Sequence, residues 1–194
     1  PHLPVVTGKK FRDLYADRPL AEQLYYGCIT AMDEQVGRLR TTLRELKVAN
    51  DTMLWFASDN GPETTAVVRM RADHGHDPAR PWRGMKRDDW EGGHRVPLIV
   101  RWPARTAPGV NDQTVCLTDL LATCAALTGA KVPRDAGEDS FSFLPALTGA
   151  DDGRPRRTFT LHQTIKSDLA IRRGDWKYLD HRGSGGNNYD QGEL

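Results

Sequence analysis

Apolar residues return at every third or fourth position from Leu20 through Leu24, Cys28, Met32, Val36, Leu39, Leu43 and Leu46, the period that lays one stripe along a helix. The spacing predicts a long amphipathic helix with Pro19 near its first turn and an end near Asn50 and Asp51. Residues 52–58, TMLWFAS, are apolar without alternation, and so are residues 96–102, VPLIVRW, closed by Pro103. Each run predicts a strand covered on both faces, as in a parallel sheet. Thr118 is placed to cap a short helix, DLLATCAALTG, with Leu120, Leu121, Cys124 and Leu127 inward and Gly129 ending it. In DLAIRRGDWKYL, two short strands turn about Arg173-Gly174 as an antiparallel hairpin. Helix followed by buried strand is the signature of a layered α/β fold.

Residues 60–95 carry no period and are rich in Gly, Pro, Arg, His and Asp; so long a stretch without structure in a compact domain points to function. The Pro-, Gly- and Asp-rich segment 129–156 reads as a linker, which divides the chain into residues 1–150 and the start of a smaller unit at 151–194. The tail from His181 has turn composition and no core of its own.

Composition narrows the possible partners. At 194 residues the chain suits one domain or a domain and a fraction, enough to bury roughly 70% of the unfolded surface. Lys and Arg number 27 against 26 Asp and Glu, a formal charge of +1, so no global field favours nucleic acid or an anionic membrane. No apolar run approaches the roughly 20 residues of a membrane span, and PHLPVVTGKKF lacks the pattern of a signal peptide. A soluble chain is expected. Cys28, Cys116 and Cys124 form neither a disulfide framework nor a CxxC pair, and they read as buried free thiols.

Chemistry concentrates where the first strand ends. Asp59 and Asn60 stand at the carboxyl edge, where open α/β sheets bind ligands, and their hard oxygens suit Ca²⁺ or Mg²⁺. Gly61 and Pro62 then turn the chain away, which a plain Asx turn would also do. Lys86 lies between glycine-containing turns, and Gly92-Gly93 would admit close backbone approach. Taken singly, Lys86, Arg83, Arg87 and Arg95 read as solvated charges. His74 and His76 are two residues apart, but tetrahedral zinc needs further N or S donors and no suitable Cys is near. A place on a pocket rim suits that pair better.

In order along the chain, Asp-Asn-Gly-Pro after an apolar strand, Gly-Met-Lys, then Glu-Gly-Gly-His-Arg-Val-Pro before a second strand and Trp-Pro resembles the C-terminal half of the sulfatase family, in the alkaline-phosphatase-like superfamily. Pro-His-Leu-Pro at 1–4, the Tyr25–Leu39 helix, Asp119-Leu-Leu-Ala-Thr and Ala170-Ile-Arg-Arg-Gly-Asp-Trp-Lys extend the resemblance over residues 1–180. It implies part of a mixed, mostly parallel sheet flanked by helices, followed by a small antiparallel subdomain. It implies Asp59 and Asn60 as ligands of a catalytic Ca²⁺, and Lys86 and His2 as contacts of the sulfate group and its bridging oxygen. By the same resemblance His162, in TFTLHQT, falls where many sulfatases place a histidine near the substrate pocket.

The family's nucleophile is a formylglycine made from Cys or Ser in a Cys/Ser-x-Pro/Ala-x-Arg motif. None of the three cysteines is followed by that pattern, and Ca²⁺ takes six to eight oxygens. The resemblance therefore implies a fragment that needs its N-terminal half, inert alone, from an exported enzyme acting on a small-molecule or carbohydrate sulfate ester. A phosphodiesterase or phosphonate hydrolase of the same superfamily is the alternative enzyme, and a non-catalytic binder of sulfated glycans the alternative of another class. Asn60 beside Asp59, rather than His, favours the sulfatase.

Overall fold

The computed structural model describes residues 2–75 and 77–187, with backbone alone for 72–74. After a single turn, α1 (Lys9–Arg12), comes the long helix α2 (Leu20–Glu45), with Pro19 as its N-cap. Lys47, at a φ of 59°, ends the helical path a few residues before the expected stop. The buried face of α2 is not the leucine stripe. Glu22, Tyr25 and Gly27 are buried, whereas Leu20, Met32, Leu39 and Leu46 are exposed. Tyr25 packs with Ala66 and Met70, and a Cβ on Gly27 would lie 2.5 Å from Thr7 Cγ2. Contacts with the next helix and the N-terminal segment thus choose the face, and the period alone could not.

Strands β1 (Leu54–Ala57) and β2 (Leu98–Arg101) pair antiparallel, Leu54 opposite Arg101 and Ala57 opposite Leu98. The mixed α/β class stands, but these two neighbours do not run parallel, and their residues are half-buried or exposed within this chain. An apolar run without alternation encodes the tendency to be covered; it does not encode strand direction.

The stretch 60–95 is more ordered than its composition suggests. Helix α3 (Thr64–His74) occupies its first third, closed by Gly75 at a φ of 74°. Among its described side chains Ala66, Val67 and Met70 are buried, a short i, i+1, i+4 signal diluted by the arginines around it. One more turn, α4 (Glu91–His94), precedes β2.

Helix α5 (Leu120–Thr128) ends at Gly129, φ 70°, but neither its cap nor its inward face is the one expected. Asp119, rather than Thr118, caps the turn that leads into α5, its Oδ2 accepting from Cys116 N at 2.8 Å. Thr123 is the residue fully buried, while Leu121, Cys124 and Leu127 are exposed. The carboxylate of Asp119 explains the rotation. It is 1% exposed, takes Arg157 Nη2 at 2.5 Å and accepts from Phe141 N at 2.9 Å, so the polar edge of α5 is the buried one. All three cysteines are free, with Cys28 and Cys116 half-buried.

A last helix, α6 (Leu144–Thr148), leads to a three-stranded antiparallel sheet of β3 (Thr160–Gln163), β4 (Leu169–Arg173) and β5 (Trp176–Leu179). Arg173 pairs with Trp176, so the expected hairpin closes on the two residues Gly174-Asp175, with Gly174 at a φ of 57°. Strand β3 is an addition to the expected pair.

Replacing Asp119 strands a buried guanidinium and two amides. Asp119→Ala is expected to cost about 3–5 kcal/mol in urea unfolding, against under about 1 kcal/mol for the exposed Leu121→Ala. Equal costs would show that the network does not anchor this end of the fold.

Candidate functional site

Beyond β1, Ser58 Oγ donates to Asn60 O at 2.7 Å, and Asn60 Nδ2 donates to Gly61 O at 2.8 Å. This local turn presents Asp59 and Asn60 at the strand's end. The chain then runs against its own later segment. Gly61 N donates to Gly93 O at 2.7 Å, Lys86 N to Pro62 O at 2.9 Å, and Gly92 N to Arg83 O at 2.7 Å. Glycine is obligatory on both sides of this seam. A Cβ on Gly61 would lie 1.8 Å from Gly92 O, and one on Gly92 would lie 2.4 Å from Gly84 O. The segments 59–62, 83–86 and 92–93 are thereby brought side by side from across the sequence.

Lys86 is fixed at both ends of its side chain. Its Nζ lies 3.3 Å from Glu63 Oε2, while Glu63 Oε1 accepts from Arg87 Nη1 at 2.9 Å. Burial, the strongest single influence on Glu63, pushes its carboxyl up; the Arg87 and Lys86 cations together outweigh this and hold it below the usual range. Glu63 is 1% exposed and the Lys86 side chain 16%, so the ammonium is partly desolvated and still reaches the surface. The sequence reading missed Glu63. Its one signal was position, directly after Asp-Asn-Gly-Pro.

Asp59 is exposed, and neither its carboxylate nor the Asn60 side-chain carbonyl has a hydrogen-bond or salt-bridge partner among the described residues. Two adjacent hard oxygens with no internal partner fit a hard cation. They supply only two of its six to eight positions. Among the described residues, no three His, Cys, Asp or Glu side chains gather to complete the set.

The remaining sites named from sequence fall in different places. His2 is exposed, its Nδ1 3.0 Å from Leu3 O, and no contact joins it to the seam among the described residues. His74 ends α3 with its side chain outside the described part, and His76 lies outside the described residues.

His162, on β3, meets the seam through His94. The two rings stack with centroids 3.7 Å apart and planes at 22°. Lys177 Nζ of β5 is 2.7 Å from His94 Nε2 and 3.1 Å from Glu91 Oε1, and Arg172 Nε of β4 is 3.9 Å from Glu91 Oε2. Burial, joined by the field of His94 and Lys177, holds the His162 imidazole down to about 3. The bond with His94, backed by the Lys177 ammonium, holds Glu91 down to about 2 against its burial. Lys177 is pulled below the usual lysine range, first by burial. His94, Glu91 and Lys177 were missed by the sequence reading, although two of them lie in Glu-Gly-Gly-His. Arg71, Asp77, Arg80, Trp82, Arg83 and Trp90 line an open cavity of about 410 Å³.

The family model described as Sulfatase matches residues 7–130. The chain belongs to the sulfatase family. It is 35% identical over 158 residues to the N-acetylgalactosamine-6-O-sulfatase of Bacteroides thetaiotaomicron, covering 78% of this chain and 30% of that one. With arylsulfatase A of Homo sapiens it shares 32% over 180 residues, 91% of this chain and 33% of that one. Among solved structures, Ps i-CgsB in complex with k-i-k-neocarrahexaose superposes with a TM-score of 0.78 at 28% identity, covering 94% of this chain and 39% of that one. A Bacteroides thetaiotaomicron structure described with that organism's metabolism of multiple glycosaminoglycans gives 0.77 at 32%, covering 92% and 36%. This sulfatase chain thus spans about a third of the length of the curated relatives it matches. Among the described residues, no helix is long and apolar enough to cross a membrane.

The native His162 is neutral down to about 3, whereas the unfolded chain takes up a proton below 6.5. The stability gained from the neutral ring is complete above 6.5 and is lost as pH falls toward 3. The same loss for Glu91 starts lower, running from 4.5 to about 2. Between 6.5 and 4.5 the wild-type Tm is therefore expected to fall more steeply than that of His162→Gln, followed by circular dichroism. Parallel slopes would refute a neutral buried ring.

Proposed function

We propose that the intact protein hydrolyses sulfate esters, with Asp59 and Asn60 holding a Ca²⁺ and Lys86 facing the sulfate group. The observation that carries this reading is the seam, in which the backbone bond from Lys86 N to Pro62 O brings the Lys86 segment beside the Asp59-Asn60 turn, in a chain of the sulfatase family. A cation held by Asp59 and Asn60 would supply positive charge for the sulfuryl oxygens. Lys86 adds an ammonium that Glu63 steadies, strengthened by its limited contact with water. His2 is read as the partner of the bridging oxygen. His162 is read as a wall of the substrate pocket, neutral at working pH and so able to accept or donate one hydrogen bond without bringing charge. His74 and His76 are read as rim residues.

The remaining calcium oxygens and the nucleophile, a formylglycine in this reading, are taken to come from an N-terminal half to which this chain docks. A carbohydrate or other small-molecule sulfate ester is the proposed substrate. Arg80 beside the open cavity adds positive charge, whereas Arg71 is paired with Asp77 at 2.5 Å and the Trp82 and Trp90 rings are covered by Arg95 and Arg83. An exported location belongs to the same reading.

The product of the full coding sequence is expected to turn over aryl sulfate faster than aryl phosphate and to lose activity to a calcium chelator. Lys86→Ala should lower kcat by about 100- to 1,000-fold, the cost of removing one oriented charge-stabilising group. Asp59→Ala should raise the Ca²⁺ concentration needed for half-maximal activity at least about tenfold, the effect of losing a carboxylate ligand. Turnover of phosphate esters alone overturns the proposal.

A further inference from the structure

The sequence reading gave the tail after β5 no role, yet residues 181–187 cross back onto the loop that carries Lys86. Asp89 N donates to Ser184 O at 2.8 Å, and His181 Nε2 lies 3.0 Å from Asp89 Oδ2. Asn187 Nδ2 donates to Lys86 O at 2.9 Å and to the Asp88 carboxylate, whose other oxygen accepts from Met85 N at 2.9 Å. Asn187 N in turn donates to Ser184 Oγ at 3.2 Å. Ser184, Asp88 and Asp89 are all buried, so water cannot readily replace these bonds. The fit is close enough that a Cβ on Gly186 would lie 1.6 Å from Arg87 O.

The loop needs such support. Arg87, next to Lys86, has a φ of 81°, a left-handed conformation that costs a residue with a long side chain on the order of 1–2 kcal/mol and persists only where surroundings impose it. On one side of the Lys86 Cα its N–H donates to Pro62 O; on the other its carbonyl accepts from Asn187 Nδ2 at 2.9 Å and, at 3.4 Å, from Thr64 Oγ1. We infer that Asn187 is a positioning residue for Lys86: the 181–187 segment is a strap whose terminal amide fixes the backbone from which the ammonium projects. This rests on the reading of Lys86 as a sulfate contact. A misplacement of about 1 Å at such a group can cost up to about 100-fold in rate, so the strap bears on kcat without touching the ester.

The test uses the full-length protein, with Asn187→Ala, Asn187→Asp, Lys86→Ala and the double variant Asn187→Ala/Lys86→Ala. Two readouts apply: amide hydrogen exchange of residues 83–92 and kcat on an aryl sulfate. Asn187→Ala is expected to speed exchange in the loop and lower kcat about tenfold with little change in Tm. Asn187→Asp keeps the size, loses the amide donor and places a carboxylate against Asp88, so it should be at least as slow. In the double variant kcat should equal that of Lys86→Ala alone, because a residue acting through Lys86 has nothing left to position. Unchanged exchange in Asn187→Ala overturns the strap whatever the activity. Additive losses in the double variant, or a kcat loss that tracks a fall in Tm, overturn the positioning role in favour of a merely structural one. Faster exchange beside a fully active Lys86→Ala overturns the reading of Lys86 itself, and the positioning role with it.

Discussion

The close backbone contact between Gly61 and the Gly92-Gly93 pair is the constraint on which the rest of the site is built. Two chain segments some thirty residues apart meet there without side chains between them, and the bond from Gly61 N to Gly93 O closes the contact. Any Cβ at Gly61 would overlap the carbonyl of Gly92. Because the seam sits at the end of β1 and at the entrance to β2, the antiparallel pairing of those strands and the placement of the Lys86 loop follow from one geometric event.

On this backbone frame the structure arranges charge in two linked sets. Glu63 gathers Lys86 and Arg87, and Glu91 gathers Lys177 and Arg172 beside the stacked imidazoles of His94 and His162. In the first set the carboxylate is the most buried member, and in the second Lys177 is more buried than Glu91; both carboxylates are held below their usual range by the groups around them. Cations balanced by carboxylates in this way are held beside the seam at lower desolvation cost than bare ones.

The small C-terminal sheet does more than follow the α/β part. Strand β3 supplies His162, β5 supplies Lys177, and the segment after β5 grips the Lys86 loop through Asp88, Asp89 and the Lys86 carbonyl. Lys86 is therefore held on one face by residues early in the chain and on the other by residues at the end of the described part.

Local chemistry made much of this legible from the residues alone. The period from Leu20 to Leu46, the apolar runs ending at Ser58 and Trp102, Gly129 and Gly174 at positive φ, and the position of Asp59 and Asn60 at a strand end are all short-range properties. Ordered together, the motifs also pointed to the family. Tertiary contacts decided the remainder, because each choice was between locally equivalent options. Which face of α2 is covered was settled by Met70 and Thr7, the buried edge of α5 by the Asp119 and Arg157 pair, and the direction of β2 by the glycine seam. Glu63, His94, Lys177 and Asn187 acquire their roles only through partners some twenty to a hundred residues away, and a sequence read along its length gives no distance between such groups.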